Sequence, residues 1–437
     1  MKIVVLGASH GGFETVEELL ATYDDLEIKW FEKNDLAAVI GWDKETTIHK
    51  IKELEDRQVE IFNKTEVIKV NAKEHKVEAV DRNGNKISES YDKLILSPGA
   101  KPNMLPVSGN DLKNIQTLGG REDMDMIREK AQDPTIENVV VVGAGYIGVG
   151  AVQILGMAHK NITLIDVSEL PLSTYLDSEF THKIMSEFVD KGVHLAMHNF
   201  VQNFVGNDQN EVTSVVTDKA EYPADLVVVA AGSHPNTEWL NGVVDMTERG
   251  LIKTDKYLHT SNPDIFAIGD VTEVFYNPGQ NDMNISLASN ARLQASYVVR
   301  NLKDDCYSIN GVQGTSAWMA FDYKFAATGL NETTAKRLDV AIDSAFIEVD
   351  VPRDHTQISH ILFKVVFDPK TRAILGAQIM SKDNLNDNIN AISIAIQAKL
   401  TIDQLAYGDF FFEPGLKSQR SIFNLVGLKA IEKGTSN

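Results

Sequence analysis

Gly143-Ala144-Gly145-Tyr146-Ile147-Gly148 fits G-x-G-x-x-G directly after the apolar run 138–142 (NVVVV). Glycines at that spacing let the backbone turn tightly and approach a pyrophosphate, which then faces the amides opening the next helix. A second apolar strand, 162–166 (ITLID), ends in Asp166, 18 residues past Gly148. A carboxylate there accepts hydrogen bonds from a free ribose 2′-hydroxyl and repels a 2′-phosphate, which favours NADH over NADPH.

The arrangement also opens the chain. Residues 2–7 (KIVVLG) lead into Gly7-Ala8-Ser9-His10-Gly11-Gly12, with Ser9 in place of the middle glycine. Phe13, Val16, Leu19 and Leu20 follow at helical spacing, and strand 27–32 (EIKWFE) ends in Glu32, 20 residues after Gly12, with Lys33 next. Alone, this motif also suits an ordinary tight strand-helix turn. Two such units in one chain are far more specific and point to an enzyme that passes a hydride from nicotinamide to a flavin. Ser97-Pro98-Gly99-Ala100 and Ala231-Gly232-Ser233-His234-Pro235-Asn236 each end a strand-like run in a glycine turn. Residues 260–270 (TSNPDIFAIGD) end in Gly269-Asp270, suited to a ribityl hydroxyl and a pyrophosphate. A helix from Leu287-Ala288 to Ala295 is expected to aim its positive end at the pyrimidine edge of the flavin.

These motifs need parallel sheets to hold them. The expected fold is α/β, with two Rossmann-like dinucleotide-binding domains, for FAD and NAD, and a C-terminal α+β dimerisation domain. Residues 1–112 and 245–305 form the expected FAD domain, interrupted by an NAD domain at 113–244; residues 306–437 form the third. Strands 361–367 and 374–379 and helix 387–399 are expected in the last, and hairpin turns within 80–90 and 205–212. The chain has 437 residues, enough for two or three domains. Its net charge of −20 argues against nucleic-acid and anionic-membrane partners. No segment approaches the ~20 apolar residues that span a bilayer, and the N-terminal apolar run reads as a buried strand rather than a signal peptide. The one cysteine, Cys306, excludes an intramolecular disulfide and a cysteine zinc site, so the cytoplasm is expected. Acids precede Cys306 and nothing favours its thiolate. The histidines, His355 and His360 included, show no metal-site pattern, and no metal is assigned.

With the fingerprints, Ser9-His10-Gly11-Gly12, residues 284–296 (NISLASNARLQAS) and the run from Met380 to Pro414, the chain resembles the flavoprotein pyridine nucleotide-disulfide oxidoreductase family, most closely its NADH peroxidase and NADH oxidase branch. The resemblance implies FAD, NADH and a homodimer or homotetramer. It implies that Gly7, Ser9, Gly11, Gly12, Glu32, Lys33, Ser97, Gly99, Gly269, Asp270, Leu287 and Ala288 surround FAD. Gly143, Gly145, Ile147, Gly148, Asp166 and Gly232 would surround NADH, with Tyr146 covering the flavin face where nicotinamide docks. His10 matches the histidine beside the family's redox cysteine; it reads either as a local spacer or as a proton donor over the flavin. His10 and Tyr146 are the candidate catalytic residues.

Three departures cluster at the chemistry. Direct register puts Trp42 where the family has its redox cysteine, either as a substitute or as a chance occupant of a rebuilt loop. Gly150 stands where the family has a glutamate that hydrogen-bonds the nicotinamide end of the cofactor. Residues 415–421 replace the family's aromatic and proline residues at the partner subunit's site. The expected activity is FAD-dependent oxidation of NADH, with electrons leaving to oxygen as hydrogen peroxide, or to a small organic acceptor. The alternatives are NADH peroxidase or water-forming oxidase chemistry by a route without cysteine, and a non-catalytic flavoprotein redox sensor.

Overall fold

The structure is a computed structural model that describes residues 1–40, 44–352, 357–411 and 420–435; Trp42, His355 and residues 415–419 lie outside them. Continuous Val/Ile/Leu runs form strands covered on both faces, as parallel sheets require. Ile3, Val4 and Val5 are fully buried, as are Val140 and Val141. The first sheet is parallel, in the order Ile265–Ala267, Lys93–Leu96, Lys2–Leu6, Glu27–Glu32, Val59–Asn63. The second repeats the plan: His194–Met197, Asn161–Asp166, Asn138–Val142, Leu226–Val229, Ile115–Thr117. In each, the strand entering the glycine turn is central. The strand ending in the acid lies on one side of it and a later strand on the other, so the turn opens where the strand order reverses.

Three-stranded meanders attach to both sheets, with hairpin turns inside 80–90 and 205–212 as expected. The third unit is a five-stranded antiparallel sheet, Ser316–Ala320, Tyr323–Gly329, Ile374–Ser381, Ile358–Phe367, Asp343–Pro352, backed by helices Asn388–Gln397 and Ile422–Thr435. Its fourth strand starts three residues before the expected 361, because Ile358 pairs with Pro352 at the end of a register running back to Asp343 and Phe367. The expected helix 387–399 ends at Gln397, since Lys399 turns left-handed at φ 54°. Among the described residues no helix is long and apolar enough to cross a membrane.

Candidate active site

The two glycine turns are built alike at their first and last glycines. Gly7 and Gly143 have φ of 93° and 109°, which glycine alone adopts without strain. A Cβ on Gly7 would lie 2.1 Å from the Ser97 carbonyl oxygen, and one on Gly143 2.3 Å from that of Ala230. The last glycines are equally constrained: a Cβ on Gly12 would meet the Gly7 oxygen at 1.9 Å, and on Gly148 the Gly143 oxygen at 1.8 Å. The middle position is different. Gly145 has open space where its Cβ would be, and its counterpart Ser9 caps the first helix in an extended conformation, exposed. A side chain therefore costs nothing there.

The acids are held in parallel too. Glu32 accepts from the Ala8 amide at 2.9 Å and the Asn34 amide at 2.8 Å; Asp166 accepts from Ala144 at 2.6 Å and Ser168 at 2.7 Å. Each carboxylate oxygen thus keeps a lone pair for a ligand hydroxyl. Gly7, Glu32 and Lys33 line one cleft with Pro98, Asn236 and Trp239.

Four segments meet beyond the first turn. A Cβ on Gly11 would reach the Ser97 hydroxyl and the Ile268 side chain, and one on Gly269 would touch Ala291. Helices His10–Thr22 and Ala288–Arg300 run side by side in one direction, joined by Glu18 with Ser296 (2.8 Å) and Arg300 (3.7 Å) and by Glu14 with Arg292 (3.8 Å). Both positive ends therefore face the same space, and neither Ser9 nor Leu287 caps its helix with a side-chain hydrogen bond. Ala288 opens the second helix, exposed. His10, exposed, opens the first. Asp270 is half-buried and its carboxyl, pushed up by burial, takes no hydrogen bond from any described residue. An orphan acid, two converging helix ends and a glycine cradle fit a dinucleotide with ribityl hydroxyls. Gly99 and Gly232 sit in the two turns joined by the antiparallel pairing of Ala100–Pro102 with Ser233–Pro235.

On the nicotinamide side, Ile147 is exposed beside the turn, while Tyr146 is nearly buried. Its ring stacks on Tyr175 at 3.9 Å and lies 5.8 Å from Trp318 and 6.1 Å from Phe325; its hydroxyl bonds Ser316 at 2.9 Å. Burial pushes both tyrosine hydroxyls up, keeping them neutral. In this structure Tyr146 belongs to that aromatic stack. Gly150 leaves a gap, and the Trp318 indole fills it, 3.1 Å from where a Cβ would stand.

The sequence pattern described as pyridine nucleotide-disulphide oxidoreductase matches residues 1–295, and that of the family's dimerisation domain matches 315–421. The chain belongs to this family. It is 34% identical to an NADH oxidase of Enterococcus faecalis, over 99% of this chain and 100% of that one. It is 31% identical to an NADH oxidase of Lactococcus lactis subsp. cremoris, over 98% and 100%. Among solved structures it is similar to the water-forming NADH oxidase of Lactobacillus brevis bound to NADH, with a TM-score of 0.93, 30% identity and full coverage of both chains.

Within this family frame the thiol lies far from the first glycine turn. Cys306 is exposed and follows helix Ala288–Arg300, whose opposite end faces Gly269; thirteen residues separate those ends by about 20 Å. Several positioning residues have no role that the sequence assigns. The Trp30 indole donates to the Gly7 carbonyl at 2.8 Å, and Asn284 donates to the Asp270 and Thr272 carbonyls at 3.1 and 2.9 Å. Buried Gln294 accepts from the Gly269 amide at 2.5 Å. Gln294 and Asn284 lie in the quoted segment 284–296, so a signal was present without a role attached.

Proposed function

We propose that this oxidoreductase produces hydrogen peroxide. It is an FAD-dependent enzyme that oxidises NADH with oxygen as acceptor. When bound, the nicotinamide supplies two electrons and the flavin returns them to oxygen. The residues around these groups bind and orient. Asp166 selects a free ribose hydroxyl, Glu32 holds the other adenosine ribose, the Gly7 and Gly143 turns admit pyrophosphates, and Asp270 accepts from a ribityl hydroxyl. Gly99, Gly232, Leu287 and Ala288 border the bound groups, and Ser97 and Gly11 shape the floor. His10 stands at the mouth as a proton donor or spacer.

The observation that carries the peroxide reading is the remoteness of the only thiol. Each NADH delivers two electrons, enough to take oxygen to peroxide; water requires four. A thiol beside the flavin is the family's place for a second pair, and this chain has none. The same lack speaks against disulfide reduction and thiol-dependent peroxidase activity. The proposal places FAD on residues 1–112 and 245–305, NADH on 113–244 and subunit pairing on 306–437, where Tyr407 and Phe411 are exposed. It also takes the protein as a cytoplasmic homodimer or homotetramer.

Anaerobic mixing with NADH followed by oxygen tests the reading. Bleaching of the flavin and one peroxide per NADH are expected. Two NADH consumed per oxygen with no peroxide would refute it in favour of water formation. Flavin that stays oxidised would favour a redox sensor.

A further inference from the structure

We propose that the indole N–H of Trp318 is the contact that reads the carboxamide oxygen of the nicotinamide, an inference that rests on the NADH-oxidising function above. Asp166 marks the adenosine end of the second site, and the helix capped by Gly145 marks the pyrophosphate. The nicotinamide half must then leave on the side away from Asp166. Gly150 lies five residues beyond Gly145, about 8 Å along the helix axis. Trp318 covers that position: its Cζ2 is 3.1 Å, and its Nε1 3.7 Å, from where a Gly150 Cβ would be.

The donor is also uncommitted. Trp30 and Trp239 spend their indole N–H groups on the carbonyls of Gly7 and Asn236, but Trp318 donates to no described residue. It is 37% exposed, part of the stack with Tyr146, and comes from the third unit rather than from the nucleotide fold. An indole ring is donor only, so it bonds the carboxamide oxygen and ignores the amino group. Gly150 is the matching half of the device, since a Cβ there would stand 3.1 Å from the ring and force it to give by a few tenths of an ångström.

Calorimetric titration with oxidised NAD+ isolates binding from turnover. Trp318→Phe keeps the ring and loses the N–H. Its Kd for NAD+ should rise about 2- to 12-fold, the value of one neutral hydrogen bond, with FAD content and visible spectrum unchanged. The 3-acetylpyridine analogue of NAD+ keeps the oxygen and lacks the amino group. It should bind the wild type within about twofold of NAD+ and lose the same factor in Trp318→Phe. Gly150→Ala pushes on the indole and should raise the Kd in the wild type but add nothing in Trp318→Phe. If NADH reduces the wild-type flavin and Trp318→Phe binds NAD+ as tightly as wild type, this inference is overturned and the function stands. If the wild-type flavin is not reduced by NADH, the function itself fails and this inference with it.

Discussion

Removing the ammonium of Lys364 should loosen the nucleotide site from a distance. Lys364 lies in strand Ile358–Phe367 with its side chain 1% exposed, 2.7 Å from Glu332, 2.9 Å from Glu179 and 3.0 Å from Asp177. Asp177 is as deeply buried; its amide donates to Gln378 Oε1 at 2.6 Å, and its carboxylate accepts from Gln378 at 2.7 Å and the Glu332 amide at 2.9 Å. The cluster fastens the loop bearing Tyr175, and so the ring beneath Tyr146, to the third unit. Burial alone would push the Lys364 amine down, but Glu332, Asp177 and Glu179 hold it above the ordinary range. Lys364→Met leaves the Asp177 carboxylate buried without its cation, a loss of about 3–5 kcal/mol. At about 2–4 °C per kcal/mol for a unit of this size, the melting temperature should fall by roughly 6–20 °C. Adding Asp177→Asn removes the stranded charge and should recover much of the loss. The raised amine contributes fully below the ordinary lysine range and loses its contribution only as pH rises through its folded value. Burial already pushes the Asp177 carboxyl up, and losing the cation pushes it further. The deficit should therefore be largest where that carboxyl is ionised and shrink as pH falls and it takes a proton. Circular dichroism melts check the stability, and the KM for NADH should rise while FAD content holds. A Lys364→Met protein melting within about 2 °C of wild type, or a double variant as unstable as the sum of the two singles, would refute the reasoning.

Gly148→Ala puts a Cβ 1.8 Å from a backbone oxygen that cannot withdraw, so reduction by NADH should be lost while FAD is retained; Gly12→Ala, at 1.9 Å, should instead lose FAD. The flavin-to-protein absorbance ratio separates the two. Asp166→Ala removes a charged acceptor and should cut kcat/KM for NADH by about 10- to 150-fold while narrowing the preference over NADPH, measured with both nucleotides. Asp350 and Glu348 raise His360, which is half exposed, so its contribution is complete below the ordinary histidine range and fades as pH rises through its folded value. His360→Gln should cost under about 1 kcal/mol in mild acid and nothing measurable at about pH 9, by melts at both.

Both dinucleotide units were legible because their physics is local. A strand, a turn that only glycine can make and an acid about twenty residues on are all set by one stretch of backbone. The turns at Ser97 and Gly232 were legible as turns, but their pairing through Ala100–Pro102 and Ser233–Pro235 was not, because nothing local links residues so far apart. Trp30, Gln294 and Trp318 were invisible as site residues for the same reason. Each acts through one polar atom whose partner is chosen by the fold: Gly7, Gly269 and the space beside Gly150.

That dependence on what lies opposite decides how a departure from a family pattern should be weighed. Ser9 breaks the first fingerprint harmlessly, because the equivalent of its side chain at Gly145 meets open space. Gly150 looks like a loss in the sequence, yet a tryptophan from another unit occupies the room it leaves. The missing cysteine has no such counterpart, since Cys306 is on the wrong end of a thirteen-residue helix and no other sulfhydryl exists in the chain. Geometry can be compensated by packing, because any side chain of the right shape will fill a volume. A two-electron acceptor cannot, because no other side chain cycles reversibly between thiol and oxidised sulfur on contact with peroxide. The proposed peroxide product therefore rests on the one function that packing cannot replace.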